Sequence, residues 1–492
     1  MILHPGQHIS WRRTVLLTAD TVVISLAILL SAVIRLNPDV GLRYCADHLP
    51  SLGGSVLIFL LVFYASGMYE RQALTRKDAS YVLPLVATAI SMVLIVLVFY
   101  ARFQLHIGRG ILMLAGLFVF LGAWGMRYLY RLVVRSGFLS RNALIVGEGK
   151  EASDAVQLLG RTPDSGLKIL GVVSSRRTQP GTFVSGVPVV GSVDKLRELA
   201  DAFAAETLIV ATSISREPSI LRLLRPLRCA GTEVMDYVTL YEMLAQEIPL
   251  DHINDEWLMN AAMNSSVIHV RKIKRIMDVL VAVLGLVVAG PISLIAALLV
   301  KADSRGPALY RQRRCGIDGH PYTLLKFRTM RADAEATSGA LWAGKHDARV
   351  TRVGRFLRKW RVDEIPQLVN VLRGEMSLVG PRPERPEFVD TLAAAIPFYR
   401  ERLLVPPGIT GWAQVKYPYA ASIDAARRKL QYDLYYIKHM SFFLDSLILL
   451  RTFKTILVGL RHSEEPEGDS EGGGSVLSVL PGETSTSGAK TA

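Results

Sequence analysis

Residues Thr351–Pro383 read TRVGRFLRKWRVDEIPQLVNVLRGEMSLVGPRP and place two adjacent acids, Asp363 and Glu364, in a strongly basic setting. Ahead of the acids, apolar residues recur at i, i+3, i+4 and i+7, namely Val353, Phe356, Leu357 and Trp360. This period predicts an amphipathic helix whose apolar side packs inward and whose cations lie on the open side. Those cations are Arg352, Arg355, Arg358, Lys359 and Arg361.

The residues after the acids predict a second helix. Ile365 precedes a proline, which disfavours the α region, so we expect Ile365 to lie outside that region. Pro366 suits the first turn of a helix over Pro366–Leu372, because a proline nitrogen carries no hydrogen that would stay unpaired there. The acids then occupy the joint between two helices, near a positive helix N-terminus where anions are stabilised. A turn at Gly380–Pro383 adds Arg382 on a rigid support.

Two interpretations fit this pattern of acids and cations. One is an acidic helix cap surrounded by solvated surface charge, which is common at helix starts. The other is a site that handles a phosphoryl group and a divalent cation, in which one carboxylate attacks phosphorus and the other binds the metal. The residue pattern alone does not decide between them.

The surrounding region contains seven motifs in a fixed order. They are Lys274-Arg275-x-x-Asp278, Gly306-Pro307, Gln312-x-Arg314-x-Gly316, Lys326-Phe327-Arg328-Thr329-Met330, Asp363-Glu364-x-Pro366-Gln367-Leu368, MSLVGPRP at 376–383 and PGITGWAQV at 407–415. On these motifs, residues from about Arg271 to Leu460 resemble the bacterial sugar transferases, the polyprenyl-phosphate hexose-1-phosphate transferases or monotopic phosphoglycosyl transferases. Together with the apolar segments that precede these residues, the chain resembles the long-form members of the family, which prime exopolysaccharide synthesis.

The resemblance implies a reaction and roles for the two acids. A sugar 1-phosphate would pass from a UDP-sugar to undecaprenyl phosphate with release of UMP, and glucose or galactose is the expected sugar. Asp363 would be the nucleophile that forms a phospho-sugar aspartyl intermediate. Glu364, with Asp363 beside it, would bind Mg²⁺, a hard cation that suits diphosphate cleavage.

The resemblance also implies residues that bind the substrates. The basic residues expected to hold phosphates are Lys326, Arg328, Arg358 and Arg382, and Asp433 matches a family acid near the site. One departure follows the PGITGWAQV motif, where many members continue Asn-Gly-Arg and this chain has Lys416-Tyr417-Pro418-Tyr419. This departure leaves the identity of the sugar open.

Composition favours a membrane protein. The chain has 492 residues and is 50% hydrophobic, with a mean hydropathy of +0.30. Its net charge of +14 fits either nucleic acid or an anionic membrane face, and the apolar segments favour the membrane over nucleic acid. Three dispersed cysteines argue against a disulfide framework or a zinc site. The N-terminus lacks a cleavage motif, so we expect an uncleaved anchor.

Residues 1–140 predict four transmembrane helices, at Thr14–Leu36, Gly53–Tyr69, Val82–Ala101 and Gly110–Val133. The second run is the shortest. Basic residues flank the runs so that both ends of the bundle face the cytoplasm of a bacterium, across its inner membrane. Asp20 lies inside the first run, where a buried packing or assembly contact is expected and an ion path is the alternative.

Residues 141–240 alternate between strand and helix patterns and predict a Rossmann-like α/β domain. Strands are expected at Ala143–Val146, Lys168–Val173, Thr207–Ala211 and Glu233–Val238, with helices at Glu151–Leu159, Asp194–Phe203 and Pro218–Cys229. The turn Gly147-x-Gly149 suggests dinucleotide binding, but no ribose-binding acid follows the second strand. A vestigial or regulatory domain is therefore favoured over one that binds NAD.

Residues 241–268 read as a linker, and residues 269–461 as a mostly α-helical catalytic domain. Within it, Ile276–Val300 is long enough to span the membrane, yet both of its flanks are basic and Gly290-Pro291 favours a sharp break. These features, and the family resemblance, predict a re-entrant helix that returns to the cytoplasmic side. The alternative is a fifth spanning helix.

The C-terminal part carries further expectations. Lys429–Leu460 mixes aromatic and basic residues, which predicts helices in the membrane interface, with an ordinary buried helix pair as the alternative. Residues 462–492 read as a disordered tail. Beyond the substrates and the bilayer, we expect a homodimer and contacts with downstream glycosyltransferases and export machinery.

Two other functional classes were weighed against the transferase. A nucleotide-sugar oxidoreductase or dehydratase would use a Tyr-x-x-x-Lys pair, and Tyr322 and Lys326 have that spacing, but far from Gly147 in the sequence. A non-catalytic scaffold for polysaccharide assembly would not need Asp363 at all.

Overall fold

The computed structural model describes residues 11–69, 74, 79–101, 108–136, 140–174, 182–211, 218–253, 255, 266–331, 349–417 and 422–458. The chain forms two compact units, one of Met1–Ile273 with Arg427–Leu449 and one of Lys274–Ala426 with Leu450–Ala492. A segment that we predicted to lie within the catalytic domain, Arg427–Leu449, thus clusters with the N-terminal part. The predicted disordered tail lies outside the described residues.

The first unit begins with five helices. They are α1 (Trp11–Leu36), α2 (Pro38–Asp47), α3 (Leu49–Ala65), α4 (Ala79–Ala101) and α5 (Arg109–Arg135). Helices α1, α4 and α5 are long and apolar enough to cross a membrane, whereas α3 qualifies only together with α2, from which it is bent by 81°. The predicted second span was also the shortest. Long apolar helices of this kind identify a membrane protein.

An ion pair lies inside this helical bundle. Arg127 of α5 donates through Nη1 and Nη2 to Oδ1 and Oδ2 of Asp20 on α1, both across 2.6 Å. Both residues are almost fully buried, and the guanidinium lies 5.9 Å from the ring centre of Phe63. The predicted packing contact of Asp20 is confirmed, because a bidentate partner compensates its burial.

An α/β region follows the bundle. Its strands are β1 (Arg141–Val146), β2 (Leu167–Ser174), β3 (Phe183–Val184), β4 (Val187–Ser192), β5 (Thr207–Val210) and β6 (Glu233–Asp236). They form one sheet in the order β3-β4-β2-β1-β5-β6, parallel except for β3 at the edge. The predicted parallel α/β sheet is confirmed, and the β3–β4 hairpin was not predicted.

Helices cover both faces of this sheet. They are α6 (Lys150–Arg161), α7 (Leu196–Ala202), α8 (Pro218–Cys229) and α9 (Tyr237–Ala245). Side chains alternate along β1, so Leu144 and Val146 join the core with α7 and α8, while Ala143 and Ile145 join the core with α6 and α9. Burial on both faces explains the unbroken apolar run Ala143–Val146 in β1.

The end of the sheet corrects two expectations. Strand β6 stops at Asp236 rather than continuing to Val238, because the Asp236 carboxylate accepts a bond from Thr239 N across 3.0 Å and caps α9. Consequently residues 241–245 of the predicted linker are helical, and Leu240, which directly precedes them in α9, is fully buried.

Helix α10 (Ser266–Asp303) carries the chain into the second unit as one helix of 38 residues with Pro291 inside it. Its segment Arg271–Asp303 is a further candidate membrane span, of which only 11% is buried. The helix runs unbroken through Gly290 and Pro291. The re-entrant course of this helix, with a bend at that point, therefore stays a prediction.

The second unit continues with short elements. They are β7 (Leu309–Cys315), β8 (Pro321–Phe327), α11 (Arg352–Lys359), α12 (Gln367–Arg373), β9 (Ser377–Val379), α13 (Pro386–Ala395), β10 (Gly408–Thr410) and α14 (Trp412–Lys416). Strands β7 and β8 form an antiparallel hairpin, and β9 and β10 pair in parallel. The hairpin and the turns around α11 and α12 position the candidate site.

Two long helices follow, α15 (Ile423–Lys438) and α16 (Phe442–Val458). On α15, Tyr432, Tyr435 and Tyr436 are buried, and Gln431 O accepts a bond from Ile248 N across 3.1 Å in the first unit. For α15 the structure therefore favours the buried alternative over a helix in the membrane interface. Phe453 on α16 is 61% exposed, as a helix at the interface requires.

Ion pairs fasten α15 to the end of the α/β region within the first unit. Lys438 Nζ lies 2.7 Å from Glu242 Oε2, and His439 contacts the other carboxylate oxygen of Glu242. Arg427 pairs with Asp251 in the same way. Glu242 is buried, so its partners keep a carboxylate in an interior that would otherwise reject it.

Candidate active site

The helix before the acids differs from its predicted pattern. The Thr351 hydroxyl accepts a bond from Gly354 N across 3.0 Å and starts α11, and Leu357 is buried. Phe356 and Trp360, however, are 57% and 41% exposed. The expectation that these two rings pack inward is wrong, because the helix contacts the rest of the unit mainly through the turn that carries Gly354 and Leu357.

A left-handed residue turns the chain from α11 into the acids. Arg361 has φ +56° and ψ +19°, which costs energy for a residue with a side chain. A 3-10 turn over Val362–Glu364 follows. This conformation directs the two carboxylates to different surroundings.

The acids do lie in the joint between two helices, as predicted, but the joint is helical. Ile365 has φ −53° and ψ −40°, so the expectation that it avoids the α region is wrong. Its N–H donates to Val362 O and its carbonyl accepts from Leu368 N, at 3.2 and 3.0 Å. These bonds outweigh the proline effect, and α12 begins at Gln367, one residue later than predicted.

Asp363 is the buried member of the acid pair, with 8% of its surface exposed. Its Oδ1 atom has no hydrogen-bond partner within the described part of the chain. Burial, followed by the negative charge of Glu364, raises the pKa of Asp363 to about 6. A carboxylate oxygen without a donor keeps its lone pairs available for a reactant or a cation.

Glu364 is held by two guanidinium groups. Its Oε1 atom accepts bonds from Arg382 Nη2 and from Arg361 Nη1, each across 3.2 Å. Burial alone would raise the pKa of Glu364, but the charges of Arg382 and Arg361 reverse this and hold the pKa below its usual value. Adjacent carboxyls with pKa values displaced in opposite directions are typical of catalytic pairs with two different roles.

Lys326 and Arg358 complete the basic surroundings. The Lys326 ammonium on β8 lies 5.0 Å from the centre of the Tyr310 ring. Burial, and then the charges of Arg314, Arg382 and Arg358, lower the pKa of Lys326 to about 8. Arg358 Nε donates to the Thr329 hydroxyl across 2.8 Å, which fixes its side chain. Lys326, Arg358 and Arg382 thus lie within electrostatic range of the acid pair.

Arg328 has a different environment from the other predicted phosphate ligands. Its guanidinium donates to the carbonyl oxygens of Ser304 and Arg305 at 2.7 and 3.0 Å, just beyond the end of α10. A side chain at Gly306 would place its Cβ 2.1 Å from Arg328 Nη1, so glycine permits this approach. The described bonds of Arg328 anchor the end of the helix.

Asp433 lies on α15, on the segment that belongs to the first unit, and only 1% of its surface is exposed. Its role toward a substrate stays a prediction.

The Tyr322 and Lys326 pair that an oxidoreductase would need lies on β8 in the second unit, whereas Gly147 follows β1 in the first.

Asn370 supports the site and was missed from the sequence. Its side chain is fully buried and makes two hydrogen bonds to the backbone of β8. Nδ2 donates to Thr323 O at 2.8 Å, and Oδ1 accepts from Leu325 N at 3.1 Å. It therefore fixes α12, which follows the acids, against the strand that carries Lys326. Gln367 and Arg373 lie on the same side of α12 as Asn370, so its polarity alone carried no signal of this role.

The Lys274-Arg275-x-x-Asp278 motif also supports the site. Arg275 donates to the carbonyl oxygens of Val371 and Leu372, at 2.5 and 2.8 Å, and so caps the C-terminus of α12. Asp278 accepts a bond from Leu378 N at 3.2 Å. The apolar helix α10 is thereby fixed to the elements on either side of the acid pair and the arginine turn.

The buried Arg402 and the half-buried Arg314 hold the turn that presents Arg382. Arg402 Nη2 donates to Arg382 O, and Arg314 Nη1 donates to Pro383 O, each across 3.0 Å. The backbone of Gly380 passes so close to that of Gly408 that a Cβ on Gly408 would lie 2.1 Å from Gly380 N. Neither arginine was assigned a role from the sequence.

The acid pair fits a small oxygen-binding cation. Asp363 Oδ1 is buried without a donor, and Glu364 lies next to it as an ionised carboxylate. Among the described residues, no group of three or more His, Cys, Asp or Glu side chains could hold a metal ion. Two carboxylates are what Mg²⁺ takes from a protein where substrate phosphates and water supply its other ligands.

These features define a membrane protein with an acid pair in a phosphate-attracting site. In agreement, residues 269–459 match the family described as bacterial sugar transferase, and residues 64–234 match the family described as CoA-binding domain. The first match covers every acid and cation of the candidate site.

Individual relatives agree. The chain is 44% identical over 186 residues, 37% of this chain and 69% of the relative, to the UDP-glucose:undecaprenyl-phosphate glucose-1-phosphate transferase of Caulobacter vibrioides. It is 44% identical over 234 residues to the UDP-N-acetylgalactosamine-undecaprenyl-phosphate N-acetylgalactosaminephosphotransferase of Aeromonas hydrophila, covering 47% of this chain but only 54% of that relative. The chain belongs to the bacterial sugar transferase family.

A third relative extends the similarity toward the N-terminus. The UDP-glucose:undecaprenyl-phosphate glucose-1-phosphate transferase of Xanthomonas campestris pv. campestris is 31% identical over 329 residues, 64% of this chain and 66% of the relative. The relatives' names share one reaction class and differ in the sugar, so they leave the sugar of this chain open.

Proposed function

We propose that this protein transfers a sugar 1-phosphate from a UDP-sugar to undecaprenyl phosphate and releases UMP. One observation carries the proposal. The buried Asp363 has a carboxylate oxygen that no described residue bonds, and it lies beside an ionised Glu364 and within electrostatic range of Lys326 and Arg358. Such a site suits a reactant that brings several negative charges.

The proposed reaction has two steps at Asp363. First, its carboxylate attacks the sugar-bearing phosphorus of the donor, a phosphorus–oxygen bond forms, and the bond to UMP breaks. Second, an oxygen of undecaprenyl phosphate attacks the same phosphorus and the aspartyl bond breaks, which yields undecaprenyl-diphosphate-sugar. An acid whose pKa is about 6 is largely ionised at neutral pH and remains a reasonable leaving group.

The surrounding residues would assist by charge. Lys326, Arg358 and Arg382 neutralise phosphate oxygens of the substrates. Thr329 holds the Arg358 side chain in place, and Glu364 holds that of Arg382. Asp363 and Glu364 would hold Mg²⁺, which supplies further neutralisation of the diphosphate when bound. Arg314 and Arg402 keep the turn of Arg382 rigid, so little reorganisation is needed on binding.

The experiment is an incubation of the full-length protein in membranes with a panel of labelled UDP-sugars, with and without undecaprenyl phosphate. We expect label to enter the lipid fraction for one sugar. With donor alone, we expect UMP release and label retained covalently on Asp363, and neither signal in Asp363→Asn. Lipid labelling without any trapped adduct would contradict the aspartyl step, and absence of lipid labelling with every sugar would contradict the proposal.

The proposed topology places the whole site on the cytoplasmic side of the bacterial inner membrane, where nucleotide sugars are made. Both flanks of the apolar part of α10 are basic, which supports entry and return on one side, with a bend at Gly290 and Pro291. Single cysteines at Ser266 and Ser304 test this in intact and permeabilised cells. Labelling of both only after permeabilisation is expected, whereas opposite accessibility would establish a spanning helix.

In this proposal the reaction is the priming step of exopolysaccharide synthesis, and its lipid product passes to downstream glycosyltransferases and export machinery. A homodimer is part of the same proposal. The α/β region would be a Rossmann-like domain without a nicotinamide cofactor, because its sequence lacks the ribose-binding acid. Loss of the polymer in a chromosomal Asp363→Asn strain is the expected result.

A further inference from the structure

One face of the β7–β8 hairpin carries the cations of the site. Side chains alternate along β8, so Tyr322 and Lys326 lie on the same face of the hairpin. In the antiparallel register, Arg314 is paired with Tyr322, and Tyr310 is paired with Lys326. Tyr322 therefore belongs to the surface from which Lys326 acts, four residues earlier in the strand.

The position of Tyr322 is well fixed, but its hydroxyl is unpaired. A Cβ added at Gly316 would lie 3.3 Å from Tyr322 Cδ1, so the ring packs directly against this glycine. The hydroxyl oxygen is buried and has no hydrogen-bond partner within the described residues. Since buried hydroxyls are nearly always bonded, such an exception calls for a specific explanation.

The neighbours of Tyr322 explain why no partner is present. The charged groups that act on it most strongly are Arg314, Glu375 and Arg382. Guanidinium groups have only donors, so they cannot accept a bond from the phenol. Glu375 carries acceptor oxygens, but the described bond to its Oε2 atom comes from Asn370 Nδ2 across 2.6 Å and not from the phenol. The hydroxyl thus lies in a cationic setting that attracts an anion with acceptor oxygens.

We propose that Tyr322 is a substrate-binding residue, whose hydroxyl donates a hydrogen bond to a phosphoryl oxygen held between Arg382 and Lys326. The inference rests on the proposed function, because both substrates of that reaction carry phosphates. The oxygen belongs either to the diphosphate of the donor or to the phosphate of the lipid acceptor. Tyr322 does not take part in bond making, so its effect is on binding.

Tyr322→Phe removes one oxygen atom and keeps the ring against Gly316. A hydrogen bond to a charged oxygen corresponds to about tenfold or more in affinity, so we expect KM for one substrate to rise by about that factor with little change in kcat. Separate titrations of the UDP-sugar and of undecaprenyl phosphate identify which substrate supplies the oxygen. Tyr128→Phe on α5, whose residue is 48% exposed, is the matched control and should leave both KM values unchanged.

A stability measurement separates binding from a structural role. Removing an unpaired buried hydroxyl should leave the melting temperature of the free protein unchanged or raise it, so Tyr322→Phe is expected to fold. Addition of inorganic pyrophosphate should stabilise the wild type more than the variant, which is a readout independent of turnover.

The outcomes are distinguishable. If the wild type transfers sugar phosphate and Tyr322→Phe keeps both KM values and the full pyrophosphate stabilisation, the role of Tyr322 is refuted while the transferase proposal stands. If the wild type shows no transfer with any donor, the transferase proposal itself fails. A rise in KM for one substrate, with the Tyr128→Phe control unchanged, supports the inference.

Discussion

The guanidinium of Arg382 donates to the carboxylate of Glu364 across 3.2 Å and joins two turns that lie 18 residues apart in the chain. The bond sets the two neighbouring acids apart chemically. Glu364 keeps its negative charge because two guanidiniums share its Oε1 atom, while Asp363 receives no bond at Oδ1. The two acids thus differ in the bonds they receive and in the direction of their pKa shifts, as the two different roles proposed for them require.

Glu364→Gln is predicted to act mainly through magnesium. The amide keeps the shape of the side chain but loses the charge, so the Mg²⁺ concentration needed for half-maximal activity should rise by about tenfold or more. Chelation should stop the wild type, and added magnesium should restore it. The exposed Glu387→Gln is the control and should behave as wild type. Full wild-type activity in excess chelator would refute the metal role.

Asp363→Asn is predicted to stabilise the metal-free protein at alkaline pH. The fold raises the pKa of Asp363 to about 6 from 3.8, so it favours the protonated form. That contribution to stability is fully present below the unfolded-state pKa and is lost as the pH rises through about 6. At pH 8 the variant should be more stable by about 2–3 kcal/mol.

Melting of both proteins in chelator between pH 5 and pH 8 tests this prediction. The gap in stability between variant and wild type should shrink as the pH falls. A gap that stays constant across this range would show that the folded-state pKa of Asp363 is not raised.

Lys326→Arg is predicted to abolish the fall of kcat/KM at alkaline pH. Burial and neighbouring cations lower the pKa of Lys326 to about 8, so the wild type loses this positive charge above that pH, and kcat/KM should fall. On the acid side, kcat/KM should rise through about 6 as Asp363 ionises. An arginine stays charged, so the variant should keep the acid limb and lose the alkaline limb. An alkaline limb unchanged in the variant would assign it to another group.

Asn370→Ala is predicted to damage both stability and activity. It would leave Thr323 O and Leu325 N of β8 without their side-chain partners, at a cost of about 1–3 kcal/mol. Because β8 carries Lys326 at its far end, kcat/KM should fall even at temperatures where the variant is folded. Asn370→Asp keeps the acceptor for Leu325 N but turns a second acceptor oxygen toward Thr323 O and the Glu375 carboxylate, so it should be at least as impaired. Equal activity of folded Asn370→Ala and wild type would exclude a positioning role.

Asp20→Asn is predicted to destabilise the helical bundle by about 3–5 kcal/mol, because it leaves the buried Arg127 guanidinium without its counter-charge. Melting of detergent-solubilised protein measures the effect. The exchange of both residues, Asp20→Arg with Arg127→Asp, should recover part of the loss, and the exposed Asp39→Asn should cause none. If the double exchange is no more stable than the single variants, the loss of stability does not come from the loss of charge pairing between residues 20 and 127.

The sequence predicted those features that depend on local pattern. The apolar spans, the strands at Ala143–Val146 and Thr207–Ala211, and the position of the acid pair between helices all follow from periodicity and turn residues. Ile365 was misjudged because hydrogen bonds of the 3-10 turn outweighed the preference of a residue before proline. Phe356 and Trp360 were misjudged because periodicity identifies an apolar face but not what covers it.

The supporting residues of the site could not be derived from pattern. Arg275, Arg402 and Asn370 each bond to the backbone of a segment distant in sequence. Such side-chain-to-backbone bonds leave no periodic trace and no complementary charge in the sequence. Arg328 illustrates the same limit, because its place in a basic motif suggested a phosphate, whereas its described bonds are to Ser304 and Arg305.

The division of α15 has a consequence for recombination between related proteins. The first four residues of this helix, Ile423–Ala426, cluster with the second unit, and its remainder clusters with the first. An exchange of residues 1–265 alone would bring in a foreign surface opposite Lys438 and His439 and would remove Glu242, which both contact. Functional chimeras should therefore carry Arg427–Leu449 along with the N-terminal segment, as a discontinuous graft with three crossover points instead of one.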